Sequence, residues 1–250
     1  MHLMKISVLV IAHNEERHIG KCLESLMRQT KQPDEIVLVA HNCTDKTEEI
    51  ARTFPVTIVP LAGPRGIVHA RLCGLARVSG DVILSLDGDS FAQPNWVEVM
   101  SEMLVQDGTV LGGSYVRFRG TFFGDIYNIY NRYLCVSKNQ KVAYWIWGTS
   151  YAFWGRDKER VNAILRKSVV LSEEIRLPRN PEDYWLALFM GTYGNLAVTN
   201  KTWVTSHTKE TSARDMFFRR KESYTNRRLM DERFERLKGD NRTSLDSSPL

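Results

Sequence analysis

Two aspartates separated by one glycine follow a run of apolar residues in the stretch LSLDGDS, residues 84–90. Carboxylates this close raise each other's cost of ionisation unless a cation lies between them. Oxygen ligands at the end of a strand suit a hard cation such as Mg²⁺ or Mn²⁺, which can in turn bind a diphosphate. Asp87 and Asp89 are therefore candidate metal ligands, and Gly88 lets the backbone approach closely. The alternative is a polar turn ahead of a helix.

Polar clusters also follow two other apolar runs in the first half of the chain. AHNEE occupies 12–16 and AHNCTD occupies 40–45. Because ligands bind beyond the carboxyl ends of the strands in a parallel sheet, we expect Asn14, His41 and Asp87 to share one edge. Asn14 also suits the capping position of the following helix, and the two roles can coexist.

The elements that must position these residues alternate between strand and helix. Runs rich in β-branched residues predict strands at 5–12, 34–40, 56–60 and 81–86, with helical patterns between them. This order predicts an α/β fold with a mostly parallel central sheet flanked by helices. The later part predicts strands at 109–118 and 150–155, and helices through residue 166, at 181–190 and at 212–238.

Composition narrows the class of protein without choosing a function. The 250 residues are 43% hydrophobic and carry a net charge of +5, which suits a phosphorylated small molecule, a nucleic acid or an anionic membrane as partner. The four cysteines have no zinc-site spacing, so we expect free thiols in a reducing compartment. We find no signal peptide and no apolar stretch of roughly 18 residues, and therefore predict a cytoplasmic protein.

Taken in order, the clusters resemble family 2 glycosyltransferases, which have the GT-A fold. The resemblance is carried by SVLVIAHNEERHIGKCLESLMRQ, EIVLVAHNCTDKT, GIVHARLCGLARVSGDVILSLDGDSFAQPNW, WGTSYAFWGR and NPEDYWLALFM. It implies a Rossmann-like nucleotide-diphospho-sugar transferase domain over 1–210, with a nucleotide-binding half to about residue 110 and an acceptor half over 111–210. A basic helical extension over 211–238 and a disordered tail over 239–250 follow.

The resemblance also assigns roles to residues. A divalent metal, Mn²⁺ or Mg²⁺, would bind the donor diphosphate through Asp89, with Asp87 nearer the ribose and His207 completing the site, although a lone histidine is more often structural. The remaining contacts implied for the nucleotide sugar are Ala12, Asn14, Glu15, His41, Asn42, Arg65, Arg71, Gly88, Gly148 and Thr149. Of the two arginines, Arg71 is favoured for the site, and the alternative for Arg65 is a surface salt bridge. His41 and Asn42 depart from the family's commonest pattern, in which an aspartate reads the edge of the base, so the choice of base is left open.

Glu182 and Asp183 match the family's Glu-Asp pair and are the predicted catalytic acids. A positioned carboxylate can take the proton of an attacking hydroxyl, an effect of roughly 10²–10⁴ in rate, and we assign this role to Asp183. The structural alternative is that both acids stabilise the start of a helix through its dipole.

The expected function is that of a metal-dependent, inverting glycosyltransferase of the hexosyltransferase type. Its partners would be a nucleoside-diphosphate sugar and a saccharide or lipid-linked acceptor. One alternative is a non-catalytic nucleotide-sugar-binding module. Another is an aspartyl phosphatase, although that family has its Asp-x-Asp after the first strand rather than the fourth.

The C-terminal helix adds a further expectation. Nine lysines and arginines lie between Arg214 and Lys238, beside apolar residues, which suits peripheral contact with an anionic membrane on the cytoplasmic face. The alternative is packing on the domain or on a second subunit of a homodimer. No recognised motif for nucleic-acid binding accompanies the charge, so no nucleic-acid partner is expected.

Overall fold

The computed structural model describes residues 4–106, 108–119, 128, 132, 143, 146–207 and 213–240, with the helical backbone alone over 213–224. The predicted disordered tail covers residues 239–250, and the part of it beyond residue 240 lies outside the described residues. In chain order, the described strands and helices are β1 (Ile6–Ala12), α1 (Ile19–Met27), β2 (Glu35–His41), α2 (Thr47–Ala51), β3 (Thr57–Leu61), α3 (Ile67–Leu75), β4 (Val82–Asp87), β5 (Ser90–Ala92), α4 (Trp96–Val105), β6 (Thr109–Arg119), β7 (Ser150–Trp154), α5 (Lys158–Glu174), α6 (Glu182–Met190), β8 (Asn195–His207) and α7 (Ala213–Gly239).

The strands form one sheet in the order β3-β2-β1-β4-β7-β6-β8-β5. The first four run parallel, as the alternating sequence pattern predicts. β7 runs antiparallel to both β4 and β6, whereas β6 and β8 are parallel and β5 pairs antiparallel with β8. The predicted α/β class with a mostly parallel sheet is therefore confirmed. Strands β5 and β8 are additions to the predicted set.

The central strands are buried because helices cover both faces of the sheet. Along β1, Leu9 and Ile11 belong to the apolar cluster that includes residues of α3, α5 and α6. Val8 and Val10 belong to the opposite cluster, with residues of α1 and α4. This double coverage explains why the strand is apolar at almost every position rather than at every second one.

The second half of α7 packs on the domain. Met230, Phe234 and Leu237 are buried, and the ring of Phe234 contacts that of Phe189 on α6 edge to face, with centroids 5.1 Å apart. The packing alternative therefore holds for this half of the helix. The basic cluster at 219–221 lies where side chains are not described.

Two other sequence predictions have a structural counterpart. Cys22, Cys43 and Cys73 are free thiols, as the spacing of the cysteines predicts. Among the described residues, no helix combines the length and the apolar composition that a bilayer crossing requires.

Candidate active site

A cavity lies where the carboxyl ends of β1, β2 and β4 meet. The register aligns Ile11 of β1 with Asp87 of β4, so the loops after these strands emerge together. They enclose about 430 Å³. Seven residues of the predicted site line this cavity: Glu15, His41, Asn42, Arg65, Asp87, Gly88 and Asp89. Four lining residues are additions to the sequence-based set: Ile11, His13, Gly66 and Ile67.

Backbone alternation at the end of β1 explains two of these additions. Successive side chains on an extended segment point to opposite faces, so Ile11 and His13 share the side that faces the cavity. Ala12, between them, is 1% exposed and does not line the cavity. His13, rather than Ala12, therefore faces the cavity, and the nucleotide contact implied for Ala12 stays a prediction.

Asn14 holds two loops together. Its side-chain oxygen accepts a hydrogen bond from the backbone N–H of Thr44 (2.8 Å), which joins the loop after β1 to the loop after β2. Its φ of +56° is a left-handed conformation that asparagine tolerates better than most residues. Helix α1 begins only at Ile19 and has no side-chain cap, so the capping role expected for Asn14 is wrong.

The turn between the two aspartates is pressed against β1. The backbone N–H of Gly88 donates to the carbonyl oxygen of Ile11 (2.8 Å). A side chain at position 88 would place its Cβ only 2.8 Å from the Cβ of Ala12. Glycine is therefore required here, and the close approach keeps Asp87 and Asp89 on the wall of the cavity.

Both carboxyl groups are costly to ionise in this position. Burial raises the pKa of Asp87 to about 6, against the opposing effect of Arg71. Burial also raises the pKa of Asp89, and the negative charge of Glu15 adds to the effect. The hydroxyl of Ser90 donates to Oδ1 of Asp89 (2.8 Å), which only partly offsets the cost.

This donor set fits a hard divalent cation. Two oxygen ligands whose charges are poorly solvated would be stabilised by a cation beside them, and Mg²⁺ is usually held by one or two carboxylates together with substrate phosphates. The described residues contain no preassembled group of three or more His, Cys, Asp or Glu side chains around a metal position. The remaining ligands would therefore come from the substrate and water.

His207 lies beside the second aspartate at the end of β8. Its backbone N–H donates to the carbonyl oxygen of Asp89 (3.1 Å). Its ring stacks on that of His18, with centroids 5.0 Å apart and planes inclined by 18°. Nδ1 of His18 donates in turn to Glu15 (3.0 Å). The metal role implied for His207 stays a prediction.

Two imidazoles occupy the other end of the cavity. Nε2 of His41 donates to the carbonyl oxygen of Pro64 (3.0 Å), and Nδ1 of His13 donates to the carbonyl oxygen of His41 (2.7 Å). Because a carbonyl oxygen only accepts, these two contacts need a proton on Nε2 of His41 and on Nδ1 of His13. Burial, followed by the neighbouring His69 and His13, lowers the pKa of His41 and favours its neutral form.

Asn42 ties the loop after β2 to the loop before α3. Its Nδ2 donates to the carbonyl oxygen of Gly63 (3.0 Å), and its Oδ1 accepts from the N–H of Gly63 (3.1 Å). Its φ of +50° again suits asparagine. The amide is thus engaged with the backbone, although the residue lines the cavity.

The two arginines of the GPRGIVHAR segment have opposite surroundings. Arg65 is exposed and lines the cavity, as expected for a diphosphate contact. Arg71 is fully buried and lies outside the cavity wall, so the expectation that it faces the nucleotide is corrected. The reason is that α3 turns its side chain beneath the floor of the site, where Ser85 and Glu182 bind it.

The two acids at the start of α6 also differ in burial. Glu182 is buried, with Oε1 accepting from Nε of Arg71 (3.2 Å). Asp183 is half-buried, and its Oδ2 accepts from the backbone N–H of Gly148 (2.9 Å). Thr149 is buried and does not line the cavity, and its hydroxyl donates to that of Ser90 (2.8 Å), next to Asp89.

Comparisons with known proteins agree with this arrangement. The model of a family described as Glycosyl transferase family 2 matches residues 7–165. Among curated proteins, the chain is similar to the glucosyl-dolichyl phosphate glucuronosyltransferase of Haloferax volcanii, at 29% identity over 121 residues. That match covers 45% of this chain and 39% of the relative, so the chain spans less than half of the relative's length.

Solved structures show the same fold. A mannosyltransferase from Pyrobaculum calidifontis in complex with GDP-Man and Mn²⁺ has a TM-score of 0.57 at 16% identity, covering 85% of this chain and 59% of that one. Glucosyl-3-phosphoglycerate synthase from Mycobacterium tuberculosis, in complex with Mn²⁺, UDP and phosphoglyceric acid, has a TM-score of 0.53 at 19% identity, covering 86% and 73%. At these identities, the likeness is one of fold.

Proposed function

The chain belongs to glycosyl transferase family 2 and has the GT-A fold, and from this premise we propose that it transfers a hexose from a nucleoside-diphosphate sugar to a hydroxyl acceptor with inversion. Because the chain belongs to this family, we no longer consider an aspartyl phosphatase as an alternative function. The observation that carries the proposal is the arrangement of three carboxylates around the cavity. Asp87 and Asp89 line it, and Asp183, outside its lining, is linked to Asp87 through Gly148 and Arg71.

In this proposal Asp89 and Asp87 hold Mn²⁺ or Mg²⁺. When bound there, the metal would neutralise charge on the leaving diphosphate. The chain itself supplies the exposed Arg65, whose guanidinium suits a phosphate oxygen. His13 and His41 lie at the far end of the cavity, where the base of the nucleotide would lie, and the neutral ring of His41 offers one acceptor nitrogen.

Asp183 is the proposed general base. Its carboxylate would take the proton of the acceptor hydroxyl while that oxygen attacks the anomeric carbon from the side opposite the diphosphate. The new carbon–oxygen bond forms as the bond to the diphosphate breaks, and the nucleoside diphosphate leaves with the electron pair. This single displacement inverts the anomeric configuration. Glu182 is buried against Arg71 and suits a supporting role instead.

The acceptor is proposed as a saccharide or a lipid-linked sugar. The name of the Haloferax relative contains a lipid-linked sugar, glucosyl-dolichyl phosphate. Membrane contact through the basic cluster at 219–221, a cytoplasmic location and a homodimer stay predictions from the sequence. Co-sedimentation with phosphatidylglycerol vesicles that weakens as the salt concentration rises would support the membrane contact.

The proposed function is tested by donor binding and by product release. The purified chain is screened by thermal shift against UDP-glucose, UDP-N-acetylglucosamine, UDP-galactose and GDP-mannose, each with Mn²⁺ and with EDTA. A ligand at a hundred times its dissociation constant stabilises the fold by about 2.7 kcal/mol, so a true donor should be evident. We expect stabilisation with Mn²⁺ only, together with slow release of the nucleoside diphosphate.

Asp89→Asn provides the matched control because it keeps the size of the side chain and removes its charge. It should abolish the Mn²⁺-dependent stabilisation and leave the melting curve cooperative. Stabilisation that is equal with Mn²⁺ and with EDTA would contradict metal dependence. Donor binding without product release across a panel of acceptor sugars would favour the non-catalytic binding module.

A further inference from the structure

Arg71 is a buried cation beneath the floor of the site. It is 0% exposed, and its guanidinium contacts four groups on three separate segments of the chain. Nη1 donates to the hydroxyl of Ser85 on β4 (2.6 Å), and Nη2 donates to the carbonyl oxygen of Gly148 (3.0 Å). Nη2 also lies 3.4 Å from Oδ1 of Asp87, and Nε donates to Oε1 of Glu182 (3.2 Å).

These contacts connect the two carboxylates that have separate roles in the proposed reaction. Asp87 belongs to the turn at residues 87–89, which holds the proposed metal ligands and is called the metal turn below. Asp183 on α6 is the proposed base. Gly148 lies between them: its carbonyl oxygen accepts from Arg71, and its N–H donates to Oδ2 of Asp183 (2.9 Å). The path from one carboxylate to the other therefore passes through one guanidinium and one glycine residue.

The packing around this path leaves no room for rearrangement. A Cβ at Gly148 would lie 2.7 Å from Nη2 of Arg71 and 3.3 Å from Oε1 of Glu182. The ring of Tyr151 covers the guanidinium, with Cζ 5.3 Å from the ring centroid. A planar, multiply bonded guanidinium suits this position better than a lysine ammonium, which is a single point charge.

The charges around Arg71 also favour a structural role over a contact with the donor. Asp87, Glu182 and Asp183 all stabilise its cationic form and raise the pKa of Arg71, so the guanidinium stays protonated although it is buried. A buried cation with three carboxylates nearby has little charge left for a further anion. The exposed Arg65 is the better candidate for the diphosphate.

We propose that Arg71 is a positioning residue that fixes the base Asp183 relative to the metal turn at Asp87, and that it does not bind the donor. This inference rests on the proposed function, since it concerns the geometry of the same site. A displacement of about 1 Å at a reacting group can cost roughly a hundredfold in rate, so loss of the bridge should lower turnover far more than donor affinity.

The test compares Arg71→Lys with Arg65→Gln, two changes on the same segment. Binding of UDP and GDP is measured by calorimetry with Mn²⁺. Turnover is measured by release of nucleoside diphosphate from the donor that the wild-type chain uses. Local opening is measured by hydrogen exchange of peptides covering 146–150 and 181–185. We expect Arg71→Lys to keep the dissociation constant within about threefold, to lower kcat by roughly a hundredfold, and to speed exchange in these two peptides alone. Arg65→Gln should weaken nucleotide binding and leave the exchange unchanged.

A second variant covers a failure of Arg71→Lys to fold. The double change Arg71→Met with Glu182→Gln removes both members of the buried ion pair, and should fold with the same low kcat and fast local exchange. If Arg71→Lys loses nucleotide affinity as Arg65→Gln does while kcat is kept, or if exchange at 146–150 stays at the wild-type rate, the inference is overturned. If the wild-type chain neither binds nor turns over any donor, the proposed function fails, and the exchange measurement still decides whether Arg71 holds the bridge.

Discussion

Replacing Asp87 with asparagine should change how the stability of the protein depends on pH. The pKa of Asp87 rises from 3.8 to about 6 on folding, mainly through burial. A shift of about two units corresponds to about 3 kcal/mol, at 1.36 kcal/mol per unit. This is the amount by which the ionised carboxylate lowers the free energy of unfolding in the absence of a metal.

The sign follows from proton binding. Between pH 4 and pH 6 the folded protein binds the Asp87 proton more tightly than the unfolded chain does. The stabilising contribution of Asp87 is therefore complete below pH 4 and is lost as the pH rises through 6. The asparagine of the Asp87→Asn variant does not titrate, so the unfolding free energy of the variant minus that of the wild type should rise by about 3 kcal/mol between pH 4 and pH 8.

Urea unfolding in EDTA, followed by tryptophan fluorescence at several pH values, measures this difference. Groups remote from Asp87 are present in both proteins and largely cancel. Glu182 does not, because Asp87 helps to raise its pKa, so both proteins are compared in a Glu182→Gln background. Asp45→Asn is the control with the opposite sign, because hydrogen bonds from Thr47 and from the backbone of Glu16 lower the pKa of Asp45. A difference between wild type and Asp87→Asn that stays constant from pH 4 to pH 8 would show that burial does not raise the pKa of this carboxyl.

Three further changes test separate parts of the site. Asp183→Asn should keep the dissociation constant of the donor and lower turnover by roughly 10²–10⁴, measured by steady-state product release, and near-normal turnover would remove Asp183 from the mechanism. Gly148→Ala should lower the unfolding free energy by about 1–3 kcal/mol in urea, since its Cβ would crowd Arg71, whereas Gly239→Ala, with no atom within 4 Å, should not destabilise. Asn42→Ala should cost about 0.5–1.5 kcal/mol, because it removes two exposed hydrogen bonds to Gly63 and places alanine at a φ of +50°. Asn42→Gly should cost less because glycine accepts this φ; equal costs would argue against a backbone contribution.

The parallel part of the fold could be predicted because its signals are local. β1 and β4 are apolar on both faces, and turns and helical spacing separate them, so their order follows from the chain itself. β5 and β8 have no such signal. β5 has only three residues and begins directly after Asp89, and β8 includes the polar run TNKT at 199–202. Both exist because of pairing between distant segments, which a local pattern does not record.

The site, like the fold, could be predicted from the sequence only in part. The carboxylate pair and the loops after β1 and β2 could be placed at one edge from strand order alone. Which side chain faces the cavity depends on alternation within a loop, and this favours His13 over Ala12. Whether an arginine reaches a substrate or a buried partner depends on helix packing, and for this reason the sequence-based preference for Arg71 over Arg65 was wrong.

The position of the metal tests the proposed function most directly. Crystals grown with Mn²⁺ and either UDP or GDP, with data collected above the manganese absorption edge, would show the ion as an anomalous peak. We expect a peak about 2.1 Å from a carboxylate oxygen of Asp89 and in contact with the diphosphate, in the cavity lined by Arg65 and His13. A nucleotide bound there with no anomalous peak beside Asp87 and Asp89, or a peak bound elsewhere on the chain, would contradict the proposal.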